Sequence, residues 1–478
     1  MTSTALRVAA VDLGATSGRV IAAEVAPDRL HLHEVHRFPN EPVRTPDGLH
    51  WNVLELHRQI LTGLGHAHRA AGPALAGLAV DSWAVDYGLL RRGRLLGNPC
   101  HYRDEVRTEA GPARVHRLVP HEGLFARNGL QYLPFNTLYQ LAADPWTALA
   151  DRMLLIPDLL GHWLTGGPQF TERTNASTTG LLDVRTGAWD HELLARLGLP
   201  GSLCGELVDP GTPVGALRPD LARPLGLPEI PVTTVGSHDT ASAVVAVPMT
   251  EAGAAYLSCG TWGLVGTELA EPVLTDAARA ANFTNEGGVD GRVRFLTNVM
   301  GLWLLSESIR WWQRDGSSAS LPDLLARAAR APLPVAVFDV QDPRFLAPGD
   351  LPARIAQWYE EHGLPAPPDR PALVRAIVES LAHTFAEAVD RTELLSGVRL
   401  TRIHVVGGGA LNRLLCQRLA DRAGRPVLAG PVEATALGNV LIQARTAGTL
   451  TGTLEDLRTL VARTHTPVTF TPRPNGSR

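Results

Sequence analysis

An apolar run, a short turn of glycine and hydroxyl residues, and at once a second apolar run: this chain carries that arrangement twice, about half its length apart. The first copy is Arg7–Leu13, the turn Gly14-Ala15-Thr16-Ser17-Gly18, and Arg19–Val25. The second is Ala254–Ser258, the turn Cys259-Gly260-Thr261-Trp262-Gly263, and Leu264–Gly266. Each reads as a β-hairpin, a unit that cannot bury its apolar face alone. A second copy half a chain later therefore predicts two similarly built domains, 1–245 and 246–463, followed by a Pro/Thr-rich tail at 464–478. Strands and helices alternate between the hairpins. A helix is expected from Asn52, with Val53, Leu56, Ile60 and Leu64 on one face, and a strand at Leu75–Val80. A long helix is expected at Pro371–Leu395, and a strand at Ile403–Val406 that runs into Gly407-Gly408-Gly409. The fold class is α/β.

Composition excludes several functions. None of the 44 basic residues is lysine. A Walker P-loop, the protein-kinase strand lysine and Schiff-base chemistry are all ruled out. A net charge of -4 argues against nucleic acid as a partner. The four cysteines are scattered, with no CxxC, so neither a disulfide scaffold nor a zinc finger is expected. No apolar run approaches ~18 residues and the first residues lack a basic-then-apolar leader. The expectation is a cytoplasmic protein without a membrane partner.

The chemistry concentrates in a few segments. Small residues and hydroxyls at 14–18 let backbone N–H groups approach phosphate, and Asp12 at the strand end suits a Mg²⁺ held through water. Gly407-Gly408-Gly409 offers bare backbone to a nucleotide or serves as a structural turn; it is not a dinucleotide fingerprint. Ser237-His238-Asp239 follows the apolar strand Pro231–Val235, where Asp239 could take a proton from a hydroxyl or merely cap a helix. Adjacent residues cannot form a hydrolase triad. Asp81-Ser82-Trp83-Ala84-Val85-Asp86-Tyr87 sets two carboxylates beside aromatic rings, a combination suited to a sugar, and His101-Tyr102-Arg103-Asp104 adds a second polar cluster.

With these motifs, the segments 130–141, 284–288, 298–305 and 430–439 resemble the FGGY carbohydrate kinases of the actin/Hsp70/hexokinase-like superfamily, and the resemblance runs from residue 8 to about 472. It implies two ribonuclease-H-like domains flanking a central cleft. It also implies ATP-dependent, Mg²⁺-assisted phosphorylation of a sugar, L-rhamnulose at its primary hydroxyl, with Asp239 as general base. Ala84, His238, Thr240 and Asn298 would contact the sugar. Ala15, Thr16, Ser17, Gly18 and Arg19 would form the first phosphate loop, with Thr261, Ser306 and Gly408 on the nucleotide side and Asp12 organising the metal. Ala84 stands where the family has glycine, and Ser306 where it often has glutamine. Another ketose, such as fuculose or xylulose, is the nearest alternative substrate. A non-catalytic sugar- or nucleotide-responsive protein is the alternative of a different class. Monomer and homodimer both remain open.

Overall fold

In the computed structural model, which describes residues 5–71, 75–314, 316, 320–331 and 336–473, the first hairpin forms as expected. Strands β1 (Leu6–Leu13) and β2 (Ser17–Ala26) pair antiparallel, from Leu6 opposite Val25 to Leu13 opposite Gly18. β3 (Arg29–Pro39) extends the sheet beyond β2, and β4 (Leu75–Ser82) lies parallel to β1 on its other side. β5 (Pro213–Ala216) and β6 (Pro231–Thr233) complete the order β5-β6-β4-β1-β2-β3. Between β3 and β4, the helix Val53–Ala71 buries Val53, Leu56, Ile60 and Leu64, the predicted stripe.

The two-residue period of a strand decides what each face of β1 does. Ala9, Val11 and Leu13 join one apolar cluster with Val53, Leu56, Ile60 and Leu64, with Leu78 and Val80 of β4 alongside. Burying each such Val or Leu contributes ~1.5–3 kcal/mol. Asp12 therefore points to the opposite face, and the parallel register sets it directly beside Asp81. The helix Ala434–Thr446 packs on that face: Gln443 Nε2 donates to Ala9 O at 3.0 Å.

The chain forms two compact units, and they are not linear segments. One comprises 1–248, 268–295 and 434–464; the other comprises 249–267, 296–433 and 465–478. Where the sequence reading divides the chain once, near 245, the polar face of Ala434–Thr446 returns a distant stretch to the first unit.

The second sheet repeats the first. β7 (Ala254–Cys259) and β8 (Trp262–Leu269) are the second hairpin, followed by β9 (Val293–Met300), β10 (Arg402–Val406), β11 (Val427–Ala429) and β12 (Val468–Phe470). These strands run in the order β9-β8-β7-β10-β11-β12. β7 is antiparallel to β8 and parallel to β10; β11 is parallel to β10 and antiparallel to β12. That is the pairing scheme of β2-β1-β4-β6-β5. The long helix spans Arg370–Ser396, capped by the Asp369 side chain and by Gly397 in the left-handed region. Its stripe of Leu373, Ile377, Leu381 and Phe385 joins the cluster that contains Leu257 and Cys259 of β7. The stretch expected as a loose tail instead supplies β12, with Phe470 buried. Residues 474–478 of that stretch lie outside the described residues.

Candidate active site

Three carboxylates gather on the first unit's sheet. Asp12, 5 % exposed, accepts from the Arg19 guanidinium. Asp81 is fully buried: Asn439 Nδ2 donates to its Oδ2 at 2.6 Å, while Oδ1 has no partner. Gln443 Nε2 donates to Asn439 Oδ1 at 2.7 Å and so orients the amide. Burial first, then the Asp12 charge, holds the Asp81 carboxyl well above the ordinary range. Asp239 opens the helix Asp239–Val245, and 28 % of its side chain remains reachable. Burial, with Asp12 adding to it, pushes its carboxyl up to about 7.

The backbone that carries Asp239 is pinned from two sides. Ser82 N donates to Ser237 O at 2.9 Å, which continues the parallel pairing of β4 past β6. Glu172, with no exposed surface, accepts from Ser237 N at 3.1 Å and Ser237 Oγ at 2.7 Å. It also accepts from Thr174 N, Thr174 Oγ1 and Asn175 N, at 2.9, 2.6 and 3.2 Å. Beside Asp239, His238 lies 3.4 Å from its Oδ1 through Nε2, while Arg294 Nη2 approaches His238 Nδ1 at 3.0 Å and Glu286 at 3.1 Å. Burial and the Arg294 charge hold the imidazole well below its usual range, so the ring is neutral.

The motif around Ala84 is organised by Asp86, although the two acids of this segment read from sequence as hydroxyl acceptors for a sugar. Trp51 Nε1 and Trp83 Nε1 donate to Asp86 Oδ2 at 2.6 and 2.9 Å, and Gln140 Nε2 donates to Oδ1 at 2.9 Å. Both oxygens are engaged by the protein, so Asp86 orients two indoles. Its carboxyl is raised by burial to about 6. His101 stacks on Trp51 with centroids 4.0 Å apart. Val85 has φ 70, a genuine outlier for a β-branched residue, and Thr137 Oγ1 holds its carbonyl at 2.7 Å. The segment 130–141 thus supplies the ties that fix the turn carrying Ala84.

In the turn after β1, Gly14 N donates to Ser17 O at 2.9 Å, and Asn40 Nδ2 donates to Gly14 O at 2.8 Å. Ala15, Thr16 and Ser17 are at least partly open to solvent; Gly18 backs onto Phe38, and Arg19 is engaged with Asp12. The remaining expected residues belong to the second unit. Its hairpin turn bonds to the segment leading into the helix Trp303–Arg314: Leu302 N donates to Gly260 O at 2.8 Å and Trp303 N to Thr261 O at 3.3 Å. Ser306 is exposed on that helix and Asn298 lies on β9. Gly409 packs on Cys259, where a Cβ would meet Sγ at 2.3 Å, whereas a Cβ on Gly408 would meet nothing within 4 Å. Glycine at 409 therefore serves packing, and Gly408 presents open backbone next to the Thr261 turn.

Asp12 and Asp81 have the chemistry of a Mg²⁺ site. Among the described residues no cluster of three or more His, Cys, Asp or Glu could hold a metal by protein alone. The free Oδ1 of Asp81 beside Asp12 matches an ion that takes one or two carboxylates and leaves its other positions to water and phosphate.

Comparison with known proteins identifies the family. Residues 8–246 match the N-terminal domain of the FGGY family of carbohydrate kinases, and residues 255–447 match the C-terminal domain. A rhamnulokinase of Bacteroides thetaiotaomicron is 39% identical over 97% of this chain and 95% of its own. A rhamnulokinase of an Enterobacter species is 41% identical over 97% of this chain and 94% of its own. Among solved structures, a ligand-bound xylulose kinase of Lactobacillus acidophilus superposes with TM-score 0.80 at 16% identity, covering 98% of this chain and 94% of that one. That likeness shows the fold. The chain is a sugar kinase and belongs to the FGGY family of carbohydrate kinases.

Proposed function

We propose that this kinase transfers the γ-phosphoryl group of ATP to the primary hydroxyl of L-rhamnulose. The observation that carries the reading is Asp239, a reachable carboxyl poised at about 7 beside His238, in a chain similar to rhamnulokinases along almost its whole length.

Phosphoryl transfer asks for positioning and charge neutralisation more than for covalent help from the protein. Asp239 accepts the proton of the sugar's hydroxyl as that oxygen bonds to the γ-phosphorus and the bond to the leaving ADP oxygen breaks. His238, Thr240, Asn298 and the Ala84 backbone hold the sugar. The turn 15–19 receives phosphate oxygens through backbone N–H groups; Thr261 and Gly408, with Ser306 nearby, take the nucleotide. Asp12, with Asp81 beside it, would hold Mg²⁺ through water, and the ion when bound neutralises phosphate charge. Four free cysteines suit a reducing compartment, and we assign the protein to the cytoplasm. Its partners are the sugar and ATP.

The test is ADP release with Mg·ATP against L-rhamnulose, L-fuculose, L-xylulose and D-xylulose. The highest kcat/KM is expected for L-rhamnulose. Preference for another ketose moves the specificity to Ala84 and its neighbours, and no stimulation by any sugar defeats the reading. Asp239→Asn should lose ~10²–10⁴-fold in kcat with sugar binding retained.

A further inference from the structure

Arg294 belongs to none of the segments that carry chemistry in the sequence reading, yet its side chain is completely buried against His238. We propose that Arg294 is a positioning residue that fixes the tautomer of His238, keeping the ring proton on Nε2 where it faces Asp239 and the sugar. The inference rests on the reading of His238 and Asp239 as sugar contact and base.

Donors and lone pairs around the ring assign the proton. A guanidinium only donates. Arg294 Nε is spent on Gly287 O at 2.9 Å. Nη2 carries two hydrogens and has two neighbours: Glu286 Oε2 at 3.1 Å and His238 Nδ1 at 3.0 Å. A donor at 3.0 Å requires a lone pair on Nδ1, so that nitrogen bears no proton. The ring is neutral in its buried site, so its single proton sits on Nε2. Glu286 Oε2 is the competing influence, because it lies 3.5 Å from Nδ1 and would favour a proton there. It lies farther from Nδ1 than Arg294 does, and it is the arginine that makes the hydrogen bond to that nitrogen, so the arginine prevails. Nε2–H then points toward Asp239 Oδ1 at 3.4 Å. That contact is long for a hydrogen bond, so the N–H is left to donate to a sugar oxygen that approaches both atoms from the side. Without Arg294, Glu286 would draw the proton to Nδ1. The face toward Asp239 would then offer a lone pair, and a sugar hydroxyl would have to reverse its own hydrogen bond.

The decisive measurement is the pair of imidazole ¹⁵N shifts of His238 in the intact uniformly labelled protein, assigned by comparison with His238→Gln. The expected result is an Nε2–H tautomer in the unaltered protein, giving way to Nδ1–H or a mixture in Arg294→Met. An Nδ1–H tautomer in the unaltered protein overturns the proposal even if Arg294→Met does not fold. Unchanged His238 shifts in a folded Arg294→Met overturn it too. In kinetics, Arg294→Met should raise the sugar KM about tenfold, roughly the worth of one good hydrogen bond to a substrate hydroxyl, with the ATP KM unmoved. Arg294→Lys, which keeps a donor, should recover part of the loss. The double variant with His238→Gln should lose no more than His238→Gln alone, and full additivity counts against the idea. ADP release that no sugar stimulates defeats the kinase reading but leaves the tautomer result standing, so the two failures are distinguishable.

Discussion

Replacing Glu172 by glutamine should damage both stability and turnover, by amounts the hydrogen bonds set. Glu172 Oε2 accepts four bonds, from Thr174 Oγ1, Asn175 N, Ser237 N and Ser237 Oγ; Oε1 accepts one, from Thr174 N at 2.9 Å. A glutamine keeps its oxygen where four donors converge. Its amide nitrogen then faces the Thr174 N–H, donor against donor. One orphaned buried donor costs ~1–3 kcal/mol, and four bonds lose the assistance of a charged acceptor. Relief of carboxylate burial, the main cause of the raised Glu172 pKa, offsets part of this. The net expectation is about 2 kcal/mol of lost stability. Ser237 lies two residues before Asp239, so its loosened backbone should also lower kcat about 10–100-fold, with the ATP KM unchanged, as expected for a base displaced by a fraction of an ångström. Ser237→Ala removes only the 2.7 Å hydroxyl bond and keeps the backbone one, so it should cost about 1 kcal/mol and less of kcat. Chemical denaturation followed by two probes, together with ADP release, measures both quantities. Glu172→Gln within about 0.5 kcal/mol of the parent and within twofold in kcat would refute the reasoning.

The pH profile of kcat/KM should rise through about 7 and level off above it, because a base with a raised pKa is protonated and idle below that value. At pH 6 the rate should be about a tenth of the plateau, and a flat profile from 6 to 8 would remove Asp239 from the role. Gly409→Ala drives a methyl into the Cys259 sulfur and should raise the ATP KM about tenfold through the displaced Thr261 turn, while Gly408→Ala, with open space around it, should leave the melting temperature unchanged. Trp51→Phe strips Asp86 of its 2.6 Å indole donor; a loss of about 1–3 kcal/mol is expected, visible as a shifted urea midpoint.

What the sequence disclosed follows from how far apart the interacting residues lie. The hairpins and the helix Arg370–Ser396 are legible because turns and i, i+4 stripes are local. Asp239 and His238 stand out as candidates by their place after a strand; Asp81 as the neighbour of Asp12 does not, since a parallel pairing has no signature in the intervening residues. Glu172 sits in a segment without periodicity and meets Ser237 across 65 positions, and Arg294 is one arginine among many until folding buries it. Asp86 misleads for the same reason: donors that engage its two oxygens come from Trp51, 35 positions earlier, and Gln140, 54 positions later. β12 is hidden because three residues of an edge strand are too few to show alternation.

A unit stitched from 1–248, 268–295 and 434–464 sets a timetable for synthesis. When residue 248 leaves the ribosome, most of the first sheet exists, but the helix bearing Asn439 and Gln443 is roughly two hundred residues away, on the order of 10–40 s at ordinary elongation rates. Through that interval Asp81 lacks its amide donor and one face of β1 and β4 stands uncovered. The first unit therefore cannot complete its packing until its closing helix emerges, and slow codons between 296 and 433 would lengthen the exposure without altering a single residue.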